Sequence, residues 1–179
     1  VLNFEMANTV EMIQFAITLK PDFCCIVPEK REEKTTEGGL SLSSYTDKQI
    51  ASLKTTITDF RNHKIKTSLF IDPDNRSIDI AKDVGADLVE LHTGKYANQF
   101  NTINEFESLE EISTASRYAH SKDLLVNVGH GLNYENLSEI CKLDHINEVN
   151  IGHAIIAQAV FTGLNDAIKK IISIIDNCD

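Results

Sequence analysis

Phe23-Cys24-Cys25-Ile26-Val27-Pro28-Glu29-Lys30-Arg31-Glu32-Glu33-Lys34-Thr35-Thr36-Glu37-Gly38-Gly39 sets a short apolar strand directly before a long polar loop. A loop this long exceeds what a connection requires, and such loops are often lids or binding loops mounted on a rigid scaffold. Outward from it, short apolar runs alternate with helical patterns. The pattern predicts strands over 2–6, 23–27, 67–71, 88–92, 124–128 and 148–151. It predicts helices over 10–19, 47–63, 78–84, about 103–121, 153–161 and 164–175. Strand, helix, strand at this spacing is the signature of parallel βα units. The strands read as nearly continuous apolar runs, which suits a sheet covered on both faces.

A polar residue or glycine recurs near the expected C-terminal end of nearly every strand: Glu5, Glu29, Asp72, Glu90, His130 and the pair Gly152-His153. A (β/α)8 barrel builds its active site at those ends. No GxGxxG or Walker A sequence occurs, so a doubly wound nucleotide-binding sheet is the poorer fit. A closed barrel has eight units and typically needs ~250 residues. The expectation is therefore an α/β chain forming one domain over residues 1–179, with about six of the eight βα units of a TIM barrel. The chain opens Val1-Leu2-Asn3-Phe4-Glu5, as if inside a strand and with no initiator Met. That opening leads us to expect a start partway through a larger polypeptide.

A net charge of −10 argues against nucleic acid, whose backbone needs a basic surface. Small phosphorylated ligands stay open, since backbone N–H groups hold them locally. No apolar run approaches the ~20 residues that cross a bilayer, and no signal peptide is evident. Cys24 and Cys25 are adjacent, so on a strand they point to opposite faces and cannot form a CxxC pair. With Cys141 and Cys178 they read as reduced, mostly buried thiols of a cytoplasmic protein.

Glu5 and Glu90 are carboxylates inside otherwise apolar strands. A buried carboxylate needs a partner or takes a raised pKa suited to proton transfer; a structural salt bridge explains a single one equally well. Two of them on separate strands shift the weight towards function. His92 shares the strand face of Glu90, and a packed core histidine accounts for it equally well. His130, in Asn127-Val128-Gly129-His130-Gly131-Leu132-Asn133, has glycines on both sides that expose its imidazole. Proton transfer is the favoured reading there; no HxH or HExxH spacing supports a metal. Asn150-Ile151-Gly152-His153 ends the last strand and opens a short helix, the usual place for phosphate in a barrel. In the opening loop, hydroxyls beside Gly38-Gly39 suggest a closing lid over a polar ligand. His63, His120 and His145 read as surface residues.

Taken together, VPEKREEKTTEGGL, SLFIDPD, VELHTGKYA, NVGHGLNYEN and NIGHAIIAQAVFTGL resemble pyridoxine 5'-phosphate synthase, in order, from Leu2 to about residue 175. The resemblance implies a (β/α)8 barrel joining 1-deoxy-D-xylulose 5-phosphate to 3-amino-2-oxopropyl phosphate, giving pyridoxine 5'-phosphate, phosphate and water. It implies no metal or organic cofactor and a homo-octamer. By motif, Glu5 would be a general base, His130 the proton donor, and Glu90 an electrostatic stabiliser. Thr35 would contact the deoxyxylulose phosphate, while Gly131 and Gly152-His153 would hold the aminoketone phosphate. The family places two βα units before the strand carrying Glu5, so this chain would supply strands three to eight. Its front units carry a further catalytic histidine and other substrate-binding residues, and residues 1–179 alone are expected to be inactive. The alternatives are a non-catalytic, degenerate barrel subunit or another sugar-phosphate barrel enzyme. A Schiff-base aldolase would want a lysine at a strand's C-terminal end, and no lysine is expected in the strand cores.

Overall fold

The computed structural model describes residues 1–28 and 38–178. Six strands, β1 (Asn3–Ala7), β2 (Phe23–Val27), β3 (Lys66–Ile71), β4 (Leu88–His92), β5 (Leu125–Gly129) and β6 (Ile146–Asn150), form one sheet in sequence order. All five pairings are parallel. Between and after the strands lie α1 (Val10–Leu19), α2 (Asp47–Asn62), α3 (Asn75–Val84), α4 (Gly94–Gln99), α5 (Glu105–Ser121), α6 (Leu137–Cys141), α7 (His153–Thr162) and α8 (Leu164–Asp176). This is a half-barrel of repeated βα units, the coarse architecture that the sequence pattern predicts.

Local chemistry sets the helix boundaries. Thr46 and Gln49 form a reciprocal capping box at the start of α2. Asp74 accepts from Ser77 N–H at 2.9 Å, which starts α3 three residues before the expected position. Gly85 then closes that helix in the left-handed conformation, at φ 90°. The helix expected over about 103–121 is α5, which starts at Glu105; α4 was not expected, and a loop in which Asn101 takes a φ of 61° separates the two. The short α6 and a 3-10 turn at Leu42–Ser44 had too little periodicity to be legible.

Side chains alternate along each strand, and the two faces are chemically different. The outer face (Met6, Cys24, Ile26, Leu69, Ile71, Val89, Leu91, Val126 and Val128) joins helix residues such as Leu53, Phe60, Ile78 and Ile112 in the main core. The inner face carries a small apolar cluster, Cys25, Val27 and Phe70, with polar residues beside it. Cys24 and Cys25 thus point to opposite faces, as expected, and both are free thiols. Central strands are the most buried; β1 and β6 have one neighbour each and far more exposure. Lys66 opens β3, a lysine the expected strand bounds left out, but it lies at the end opposite the candidate site. No helix among the described residues is long and apolar enough to cross a membrane.

Candidate active site

The strand register brings the inner-face polar residues together. Glu90 on β4 pairs with Asn127 on β5, and Asn127 with Glu148 on β6; His92 pairs with Gly129, and Gly129 with Asn150. Glu90 is therefore on the fourth of six strands, with β3 and β5 on either side. It is only 9 % exposed. Its Oε2 accepts from Asn150 Nδ2 at 2.6 Å and from the Cys25 thiol at 3.5 Å. Burial raises its pKa above the ordinary carboxylate range; the hydrogen bonds from Asn150 and Cys25 pull the other way, and the charges of Glu5 and Glu148 add to the rise. Gly129 is what makes room: a Cβ there would lie 2.3 Å from Glu90 Oε1. The same burial, reinforced by Glu90, pushes the Cys25 thiol well up, so it remains protonated and donates.

Glu5 departs from the expectation of burial. It stands on the edge strand β1, in register with Cys25, and is exposed. It nonetheless shares the inner face of the sheet, close enough for its charge to act on both Cys25 and Glu90. Glu5 and Glu90 are also mid-strand rather than at the strand ends, whereas Asp72, His130 and Gly152 lie just beyond β3, β5 and β6.

His130 is exposed at the rim and has a φ of 84°, followed by Gly131 at 78°. A positive φ costs glycine little but strains histidine, and such strain persists only where surroundings enforce it. Thr93, fully buried, enforces it by donating its hydroxyl to the carbonyls of Gly129 and His130, at 2.7 and 2.6 Å. Gly131 is fixed by shape as well, since a Cβ would lie 2.6 Å from that of Ala97. The Gly152-His153 pair does open a helix: Gly152 is the N-cap of α7 and the first turn closes from Ile156 N–H to Gly152 C=O at 3.0 Å. Both residues are exposed, and a Cβ added at Gly152 would meet nothing within 4 Å, so no side chain crowds the start of the helix there. Thr35 and Glu29 lie outside the described residues.

Sequence reading missed Asn150, Asn127, Cys25 and Thr93. Asparagines next to an inward carboxylate become visible only through the register across strands. His63, His120 and His145 are exposed as expected, the last two stacked 3.8 Å apart. No cluster of three His, Cys, Asp or Glu able to hold a metal occurs among the described residues. A surface cavity of about 460 Å³ beside Pro73 and Phe106 involves none of these residues.

Solved structures share the fold at low identity. A putative fructose-1,6-biphosphate aldolase from Coccidioides immitis aligns over 94% of this chain and 61% of its own, with a TM-score of 0.62 and 15% identity. An HpcH/HpaI aldolase from Desulfitobacterium hafniense aligns over 98% and 73%, with a TM-score of 0.55 and 11% identity. Sequence relatives are much nearer. The pyridoxine 5'-phosphate synthase of Sulfurihydrogenibium sp. (strain YO3AOP1) is 49% identical over 176 residues, 98% of this chain and 70% of the relative. That of Coxiella burnetii (strain Dugway 5J108-111) is 45% identical over 174 residues, 97% and 71%. The family described as Pyridoxal phosphate biosynthesis protein PdxJ matches residues 1–177. With nearly half of the residues shared across almost the whole chain, the chain belongs to the pyridoxine 5'-phosphate synthase family, PdxJ.

Proposed function

We propose that this chain carries most of the active site of a synthase that condenses 1-deoxy-D-xylulose 5-phosphate with 3-amino-2-oxopropyl phosphate. The products are pyridoxine 5'-phosphate, inorganic phosphate and water. The carrying observation is Glu90: a carboxyl buried on the inner face, fixed by Asn150 and Cys25, and within reach of the charge of Glu5. Ring formation by condensation and dehydration is a sequence of proton transfers, and it needs acid and base groups around one space.

In this reading the six strands are the third to eighth of an eight-stranded barrel, within a single domain. Turnover then belongs to the barrel closed by the first two units, with residues 1–179 alone inactive. Glu5 acts as general base at the β1 side of the pocket. His130, thrust out by its strained backbone, is the proton donor. Glu90 stabilises positive charge that develops on the substrate's nitrogen-bearing carbon skeleton, where a desolvated carboxyl acts strongly. Thr35 contacts the deoxyxylulose phosphate. Gly131 and the Gly152-His153 turn hold the aminoketone phosphate on free amides and the positive end of α7. The enzyme uses no metal or organic cofactor, acts in the cytoplasm and assembles as a homo-octamer.

The Schiff-base alternative finds little support, because the only lysine in the described strands is Lys66, at the wrong end of β3. The direct test is incubation of the full-length protein with the two phosphates. Pyridoxine 5'-phosphate and inorganic phosphate should appear one for one. Absence of the pyridoxine product, or its formation without phosphate release, would reject the reading.

A further inference from the structure

We propose that Asp72 and His92 are positioning residues that hold the imidazole of His130. The inference rests on the reading of His130 as proton donor and adds two residues to that site. Three consecutive strands deliver the three groups side by side: Asp72 follows β3, His92 ends β4 and His130 follows β5. His92 Nδ1 lies 3.5 Å from Asp72 Oδ1. The rings of His92 and His130 have centroids 4.8 Å apart, tilted by 38°.

His92 is held on its other sides too. Phe70 meets it edge-on, at 5.3 Å and 85°, and the side chain is only 11% exposed. Asp72 is anchored in turn, accepting from Gly39 N–H at 3.0 Å. Gly94 leaves the space that lets the two imidazoles meet. A Cβ there would lie 2.6 Å from His92 Cε1 and 3.1 Å from His130 Cδ2.

The division of labour follows from burial. His92 is enclosed, so it does not present a nitrogen to substrate as the exposed His130 does. A carboxylate that takes the Nδ1–H of a histidine fixes both its tautomer and its ring plane. Asp72 Oδ1, 3.5 Å from Nδ1, is placed to do this for His92, and the ring of His92 so held is the wall against which His130 rests. Thr93 sets the backbone of His130, and the Asp72–His92 pair sets its ring. A proton donor that is misplaced by about 1 Å loses up to roughly 10²-fold in rate.

Two measurements on the full-length protein test the pair. In long-range ¹H–¹⁵N spectra without substrates, His92 should carry its proton on Nδ1, and Asp72→Asn should move the ring resonances of His130. In steady-state assays, Asp72→Asn and His92→Phe should each lower kcat about 10- to 100-fold and leave KM in place. Neither should slow the residual turnover of His130→Asn any further, as a merely structural role would. Unmoved His130 resonances, wild-type kcat in either variant, or a loss carried by KM would overturn the inference. If wild-type protein makes no product while the spectra respond, the proposed reaction fails and the positioning pair stands.

Discussion

Glu5 and Glu90 occupy the third place of two five-residue strands on the same face of one sheet, yet their surroundings differ sharply. Glu90 sits on β4, flanked by β3 and β5, with an amide and a thiol on its carboxyl and a glycine cleared beside it. Glu5 sits on β1, has one neighbouring strand, and is exposed. Their sequence contexts, NFEMA and LVELH, look alike. Within residues 1–179 what separates them is the number of strands alongside, and with it how much water each carboxyl loses. In a barrel, chemistry is assigned by position around the sheet as much as by residue type.

The comparison can be broken most forcefully through activity. Glu90→Gln in the full-length protein should reduce kcat by about 10²- to 10³-fold, the scale of one preorganised electrostatic group. A change within a few fold would mean that the buried carboxyl is structural. Next in size is Gly129→Ala, which drives a methyl into Glu90 Oε1. Overpacking of this kind costs about 1–3 kcal/mol, read as a lower denaturant midpoint with an unchanged slope. If Glu90→Gln left that cost in place, the clash would be confirmed as steric, since glutamine keeps the same volume.

Asn150→Ala removes the shorter of the two hydrogen bonds on Glu90. A loss of about 1 kcal/mol is expected in chemical denaturation, together with a further upward shift of the carboxyl's titration followed by ¹³C NMR. A downward shift would contradict the role given to Asn150. Smallest is the pH dependence. The folded-state pKa of Glu90 is raised, so the folded state holds this proton more tightly than the unfolded chain does. Its contribution is present below the unfolded carboxylate pKa and lost as pH rises through the folded value. Glu90→Gln should therefore raise Tm at neutral pH relative to wild type and flatten that decline. In the 179-residue chain, where Glu5 is exposed, the same change there should move stability little, within about ±0.5 kcal/mol. Equal effects at both positions would erase the contrast between them.

Much of this was legible before any coordinates. Short, nearly continuous apolar runs located all six strands, because strands buried on both faces carry a dense, local signal. Val10–Leu19 and Leu88–His92 fell where the pattern put them. The strand bearing Asn150 was displaced by two residues, since INEVN on a sheet edge has no apolar run to mark its start. Glu90 and His130 stood out as polar groups in apolar or glycine-flanked surroundings. Asn150, Cys25 and Thr93 did not announce themselves, and Asp72 showed only as one polar residue past a strand end. Their importance is a property of register across strands and of ring contacts between loops, and neither leaves a mark along a single stretch of chain. Glu5 is exposed in this chain because β1 has one neighbour among the described strands, which the strand's own residues do not reveal.

The account depends most on Glu5 and His130 acting in one reaction with Glu90. Single-turnover formation of pyridoxine 5'-phosphate from the two phosphates, in full-length Glu5→Gln and His130→Asn proteins, tests it directly. The account predicts losses of about 10²- to 10⁴-fold in each, as expected for general base and general acid groups. Undiminished rates in both variants, beside an active wild type, would contradict it.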